Sequence, residues 1–277
     1  HRAVPVVAAV VLVVAGACAR RERAASSGAE LTLVASAPRV GERLTMTDRL
    51  DSQSQVTAAP GQVVDLTTRR ARLIELAVEE VSPAGVVTRV RATFVKHRVD
   101  QTRDGVASSK PSPLEGQTYV VSADGAALTA VHADGSAVTA AEQAVLVTDL
   151  GRAIGQTPPL TRILLARTWP RGEPVALTMA ELTDAFGANP MMPPVAGTGL
   201  LVGVAAGVAT FEFDLTLARD DADGRAESTM RMTVKLEVAR TRLVETTLTG
   251  TLTGKVAGMP STGTVEGRIT YVYGVSR

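Results

Sequence analysis

One cysteine occurs in 277 residues. No disulfide can close within the chain, so in an oxidising compartment the fold must rest on its core. Aromatic residues are 3% of the sequence, too few for stacking platforms that hold bases or for aromatic ledges that hold sugars. Neither sign of charge is in excess, with 29 Lys and Arg against 28 Asp and Glu. That excludes the basic surface by which proteins hold nucleic acid and any acidic tail. Histidine, the usual general base near neutral pH, is limited to His97 and His132 beyond His1.

What is there begins with VVAAVVLVVAGACARRER, Val6 to Arg23. The apolar run Ala3–Ala17 is 15 residues long and contains Pro5, short of the ~20 that span a bilayer. It fits the ~7–15-residue apolar core of a secretory signal, with His1 and Arg2 as the remnant of a basic leader. Ala15-Gly16-Ala17-Cys18 then resembles the type II lipobox of bacterial lipoproteins, with Ala15 where Leu is commonest. The resemblance covers about 18 residues and implies a diacylglycerated Cys18. Ala19 rather than Asp after the cysteine is similar to outer-membrane sorting. The expected organisation is a signal peptide over 1–17, a lipidated flexible tether over 18–30 and one mainly-β domain over 31–277. Without Arg2, basic and acidic residues balance at 28 each.

Downstream, the dominant pattern has period two. GERLTMTDRLDSQSQVT alternates, and Gln62–Val81 and Val86–Asp100 form a long hairpin around Ser82-Pro83-Ala84-Gly85. Strict alternation puts Val86, Val90, Ala92, Phe94 and Lys96 on one face, and Val87, Arg91, Val95 and His97 on the other. Gln101–Gly116, with Pro111 and Pro113, reads as a loop. Asp124-Gly125 and Asp134-Gly135 are strong turn dipeptides. Two capping boxes, Thr139 with Glu142 and Thr178 with Glu181, start helices; the first is expected to end at Gly155, the second at Gly187. Leu160–Leu177, with Pro170 and Pro174, reads as an edge strand or a loop crossing. Asn189–Gly207 is an apolar Gly- and Pro-rich loop. After it, Val208–Leu217, Ala226–Ala239, Leu243–Leu252 and Thr264–Val275 alternate as antiparallel strands, with Met230, Met232, Val234 and Leu236 on one face.

Chemistry is hard to find. His97 and His132 have no His or Cys at metal spacing and read as surface residues. Ser122 and Ser136 sit beside Asp-Gly turns, outside any nucleophile elbow. Gly250–Val256 lacks phosphate-loop spacing, and Gly197-Thr198-Gly199 reads as strand glycines. Asp220, Asp221, Asp223 and Glu227 are a poor calcium pattern, with Arg219 where a third acidic ligand belongs. Met191-Met192 lacks a third soft ligand for copper(I) and reads as a buried plug.

The fold expected is a large curved antiparallel sheet, half-barrel or clam-like, with one or two short helices packed on it. In outline it resembles the half-barrels of bacterial lipoprotein carriers and related periplasmic lipid-binding lipoproteins. A bent sheet partly closed by a helix can enclose an apolar groove. The Pro190–Val208 loop either caps the sheet's open end as core or meets that groove, for which Met191, Met192, Leu200, Leu201, Val202 and Val204 are the candidate lining. The expectation is a non-enzymatic envelope lipoprotein at the periplasmic face of the outer membrane, without cofactor or metal. Its partners are the membrane through the anchor and an apolar ligand or lipid, and not nucleic acid. The alternative is a solid-core interaction protein that binds an envelope partner.

Overall fold

The computed structural model describes residues 30–59, 62–125, 127–187, 192–221, 224–256 and 259–275. Three N-terminal strands dominate the first half: β2 (Glu42–Ala59), β3 (Gln62–Val81) and β4 (Val87–Arg103), after the short β1 (Glu30–Thr32). At 18, 20 and 17 residues they are about three times the usual strand length. β5 (Val106–Pro111), β6 (Thr118–Asp124) and β7 (Ala127–His132) complete this half. The helical insert is α1 (Ala140–Leu150), α2 (Pro159–Leu165), β8 (Thr168–Pro170), β9 (Pro174–Ala176) and α3 (Met179–Phe186). The second half is β10 (Pro194–Ala205), β11 (Val208–Asp221), β12 (Gly224–Glu237), β13 (Arg242–Val256) and β14 (Met259–Val275).

The chain folds as a large curved antiparallel sheet in the order β7-β6-β4-β3-β2-β14-β13-β12-β11-β10-β9, with β5 pairing β4. β2 beside β14 joins the two halves, from Glu42 opposite Val275 to Val56 opposite Ser261. β7 and β9 do not pair with each other among the described residues, so the sheet is not closed into a barrel. The long strands carry one apolar face over much of their length, as their alternation dictates. On β12, Ala226, Met232, Val234 and Leu236 are buried. The intervening residues face the other way and pair across strands: Arg231 Nε donates to Asp214 at 2.7 Å, and Lys235 Nζ to Glu245 at 2.8 Å, the kind of contact that stabilises a solvated sheet face.

The apolar face is covered by the helical insert. Leu146 and Leu150 of α1, Ile163 and Leu164 of α2 and Leu182 of α3 are all buried in one core with Met46, Ile74, Phe94 and Val234. Both capping boxes form: the Thr139 and Thr178 hydroxyls accept from the amides of Glu142 and Glu181, which reach back in turn. Trp169 on β8 is fully buried, edge-on to Phe211 and Phe213 at 5.3 and 6.1 Å, and its indole N–H donates to Leu164 O at 3.0 Å.

Four expectations change. Gln101–Gly116 is a hairpin over much of its length: β4 runs on to Arg103 and pairs β5 around Asp104-Gly105, both with positive φ (50° and 82°). The first helix ends at Leu150, capped by Gly151. A third helix, α2, opens on Pro159, a residue suited to a first helical position because its missing N–H has no intrahelical partner there; it precedes the two short strands around Trp169 and Val175. Most of the apolar Asn189–Gly207 segment is not a loop but strand β10, paired with β11 on one side and β9 on the other.

Candidate functional site

An apolar groove lies between the covered face of the sheet and the helical insert. It encloses a cavity of ≈ 200 Å³. Leu160 of α2, Ala185 and Phe186 of α3, and Met192 line it from the insert. Leu50, Leu215, Leu217, Met230, Met232, Leu248, Val265 and Ile269 line it from five strands. Along β2 it borders Asp48, Leu50, Ser52 and Ser54, all on one side of the strand. A Cβ on Gly267 would meet Leu50 Cδ1 at 2.8 Å, so the bare backbone of β14 makes room for the Leu50 side chain. Cavities of about 150 Å³ lined by Leu, Ile and Phe stay dry and take small apolar ligands; this one is somewhat larger, and its mainly apolar lining is interrupted by Asp48, Ser52, Ser54, Ser228 and Thr246.

A wider depression of ≈ 1270 Å³ is open to solvent. Its strand residues Asp51, Asp214, Thr229, Arg231 and Glu266 point to the opposite face, and Asp214 and Arg231 are already paired. Apolar side chains line it as well, among them Leu177, Met179, Leu182 and Val195, but it is wide and open to solvent, whereas sites for small apolar molecules bury most of the ligand's surface. The groove is the better site.

Beside the groove lies a buried ionic network. Arg72 Nε donates to Asp48 Oδ2 at 2.6 Å, and Arg72 Nη1 to Asp149 Oδ1 at 2.7 Å. Arg70 Nη2 stands 3.1 Å from Asp48 Oδ2. His97 Nε2 is 2.6 Å from Asp149 Oδ2. Asp48, Arg72, His97 and Asp149 are all buried. Burial acts to raise the Asp149 pKa, but the Arg72 charge and the His97 hydrogen bond outweigh it and hold the carboxyl below its usual range. Burial and the neighbouring Arg72 bring Arg70 down to about 10, still cationic at neutral pH. The network bolts α1, through Asp149, to β2, β3 and β4.

His97 is therefore no surface residue. The pairing slips between Leu73 opposite Lys96 and Ile74 opposite Phe94, so Val95 is a bulge. The extra residue turns His97 onto the same face as Phe94, whose ring it meets edge-on at 5.6 Å. His132 also has tertiary partners: its ring lies 4.9 Å from Tyr119 and its Nε2 3.4 Å from Glu142 Oε1. Neither histidine lines the groove or the depression.

Of the residues singled out in the apolar segment, Met192 lines the groove and Met191 falls outside the described residues. Leu201 is buried in the core opposite Phe211, Leu200 is half-buried on the other face, and Val202 and Val204 are exposed. None of these four borders the groove. Cys18 and Asp223 also lie outside the described residues. Among the described residues no cluster of three His, Cys, Asp or Glu side chains is placed to hold a metal ion, and no helix is long and apolar enough to cross a membrane.

No protein-family model matches the sequence, and no curated protein matches it significantly. Among solved structures, a lipovitellin structure described as showing lipid–protein interactions is similar over 86% of this chain, at 8% identity and a TM-score of 0.43. The chain spans about a quarter of that structure's length, 26%. A likeness at that level carries no function across.

Proposed function

We propose that this protein binds an apolar, lipid-like ligand in the groove between its sheet and its helical insert, without catalysing a reaction on it. The ≈ 200 Å³ cavity with a predominantly apolar lining carries this reading. Burial of apolar surface there is favourable at roughly 25 cal/mol per Å², and the volume suits one acyl segment or ring system rather than an entire phospholipid. In the same proposal Cys18 is lipidated and holds the protein at the periplasmic face of a bacterial outer membrane; the Ala15–Cys18 sequence supports that part. A non-catalytic role fits the position of both histidines away from the groove.

The test is mass spectrometry of organic extracts from the chain carrying Cys18→Ala, so that no covalent acyl group contributes. A stoichiometric apolar molecule is expected. A stable, folded protein without one would overturn ligand binding in favour of a protein partner. Fractionation of the same variant tests the anchor: it should leave the membrane pellet, and retention there would sink the lipobox reading.

A further inference from the structure

A buried carboxylate borders the groove. Asp48 borders the cavity and is 1% exposed. Its Oδ2 serves Arg72 and Arg70, while its Oδ1 has no hydrogen-bond partner among the described residues. A buried acceptor left unpaired costs more than an average hydrogen bond gains, and an ionised carboxylate more again. Something that donates a hydrogen bond therefore belongs beside Asp48.

The charges nearby decide what kind of donor. Arg70 and Arg72 offset Asp48 and Asp149 within the network. With those charges balanced, a head carrying a charge of either sign would bring an uncompensated charge into a buried site and pay its desolvation. A neutral hydroxyl avoids that penalty. Tyr271, beside Asp48 in the lining, is kept protonated by its burial, so it adds no further anion. We propose that Asp48 reads the head of the bound molecule, and that the ligand is an apolar chain or ring ending in a neutral hydroxyl, which donates to Asp48 Oδ1.

This rests on the apolar-groove reading, and calorimetric titration separates the two. Three probes of equal chain length are used: decan-1-ol, decyl methyl ether and decanoate. The alcohol can donate, the ether can only accept, and the acid is an anion at neutral pH. The alcohol is expected to bind about tenfold or more tighter than the ether, the range for a hydrogen bond to a charged group, with decanoate weakest. In Asp48→Asn an amide donor can stand where Oδ1 was, and the preference for alcohol over ether should collapse. If that variant does not fold, the three probes on the unaltered protein still decide. Equal affinities, as when a water serves Oδ1, would overturn the reading of the head and leave the apolar groove standing. Tighter binding of decanoate would overturn it in favour of the arginines. No binding of any probe would remove the groove as a site altogether.

Discussion

Trp169 needs a neighbour without a side chain, and Gly199 is that neighbour. A Cβ there would stand 2.8 Å from two indole carbons and 2.9 Å from Phe213. Both rings are buried, so neither can swing aside. Gly199→Ala should therefore destabilise the protein by about 1–3 kcal/mol, the cost of overpacking, seen as a lower urea midpoint with an unchanged slope. Glu142 shows the same local economy in charge. The Thr139 amide and hydroxyl both donate to Oε2 at 2.7 Å, and the Tyr119 phenol donates to Oε1 at 2.7 Å. Together they pull its pKa from 4.5 down to about 2. A carboxylate depressed by folding stabilises the native state above its ordinary pKa, and that contribution fades as pH falls toward the folded value. The urea midpoint should thus drop between pH 4.5 and about 2, and Glu142→Gln should flatten that part of the profile. A profile unchanged by the substitution would show that these hydrogen bonds do not survive in solution.

At the scale of elements, α1 is held by an ion as well as by its apolar stripe. Asp149→Ala would leave Arg72 with one carboxylate instead of two and His97 without its partner. Breaking a buried pair costs about 3–5 kcal/mol, so the variant should unfold well below the parent and exchange its α1 amides faster. The strands on either side of this contact show how far alternation reaches. It correctly sorts β12, where no residue interrupts the period before Lys235, and it places Met230 and Met232 on the face that lines the groove. It fails at His97, because one bulged residue at Val95 inverts every face beyond it, and a bulge leaves no mark in a two-residue period. Asp104-Gly105 is a hairpin-turn dipeptide inside the segment that Pro111 and Pro113 mark as a loop. Pro111 is tolerated at the end of an edge strand. The apolar segment that became β10 has a backbone pattern set by tertiary packing, since Gly197 and Gly199 are there to admit Leu182 and Trp169. The network joining Asp48, Arg72, His97 and Asp149 brings together residues up to 101 positions apart, and no local period announces such a meeting.

For the whole molecule, the question is which of two concavities is used, and neighbouring residues on β12 can answer it. Ser228 points into the apolar groove and Thr229 into the open depression on the other face. Ser228 is buried opposite Leu217 on β11 and Leu252 on β13, so a leucine there would put apolar atoms into empty space. Filling a cavity commonly stabilises by about 0.5–2 kcal/mol. Ser228→Leu is therefore expected to hold or raise the urea midpoint while weakening decan-1-ol binding by about tenfold or more. Thr229→Leu introduces the same side chain one position along, onto a solvated face, and should leave binding within about twofold. Loss of binding together with loss of stability in Ser228→Leu would mean that the groove is already filled by the protein's own atoms. Loss of binding in Thr229→Leu alone would move the site to the outer depression, and the curved sheet would then be presenting its polar face to the ligand.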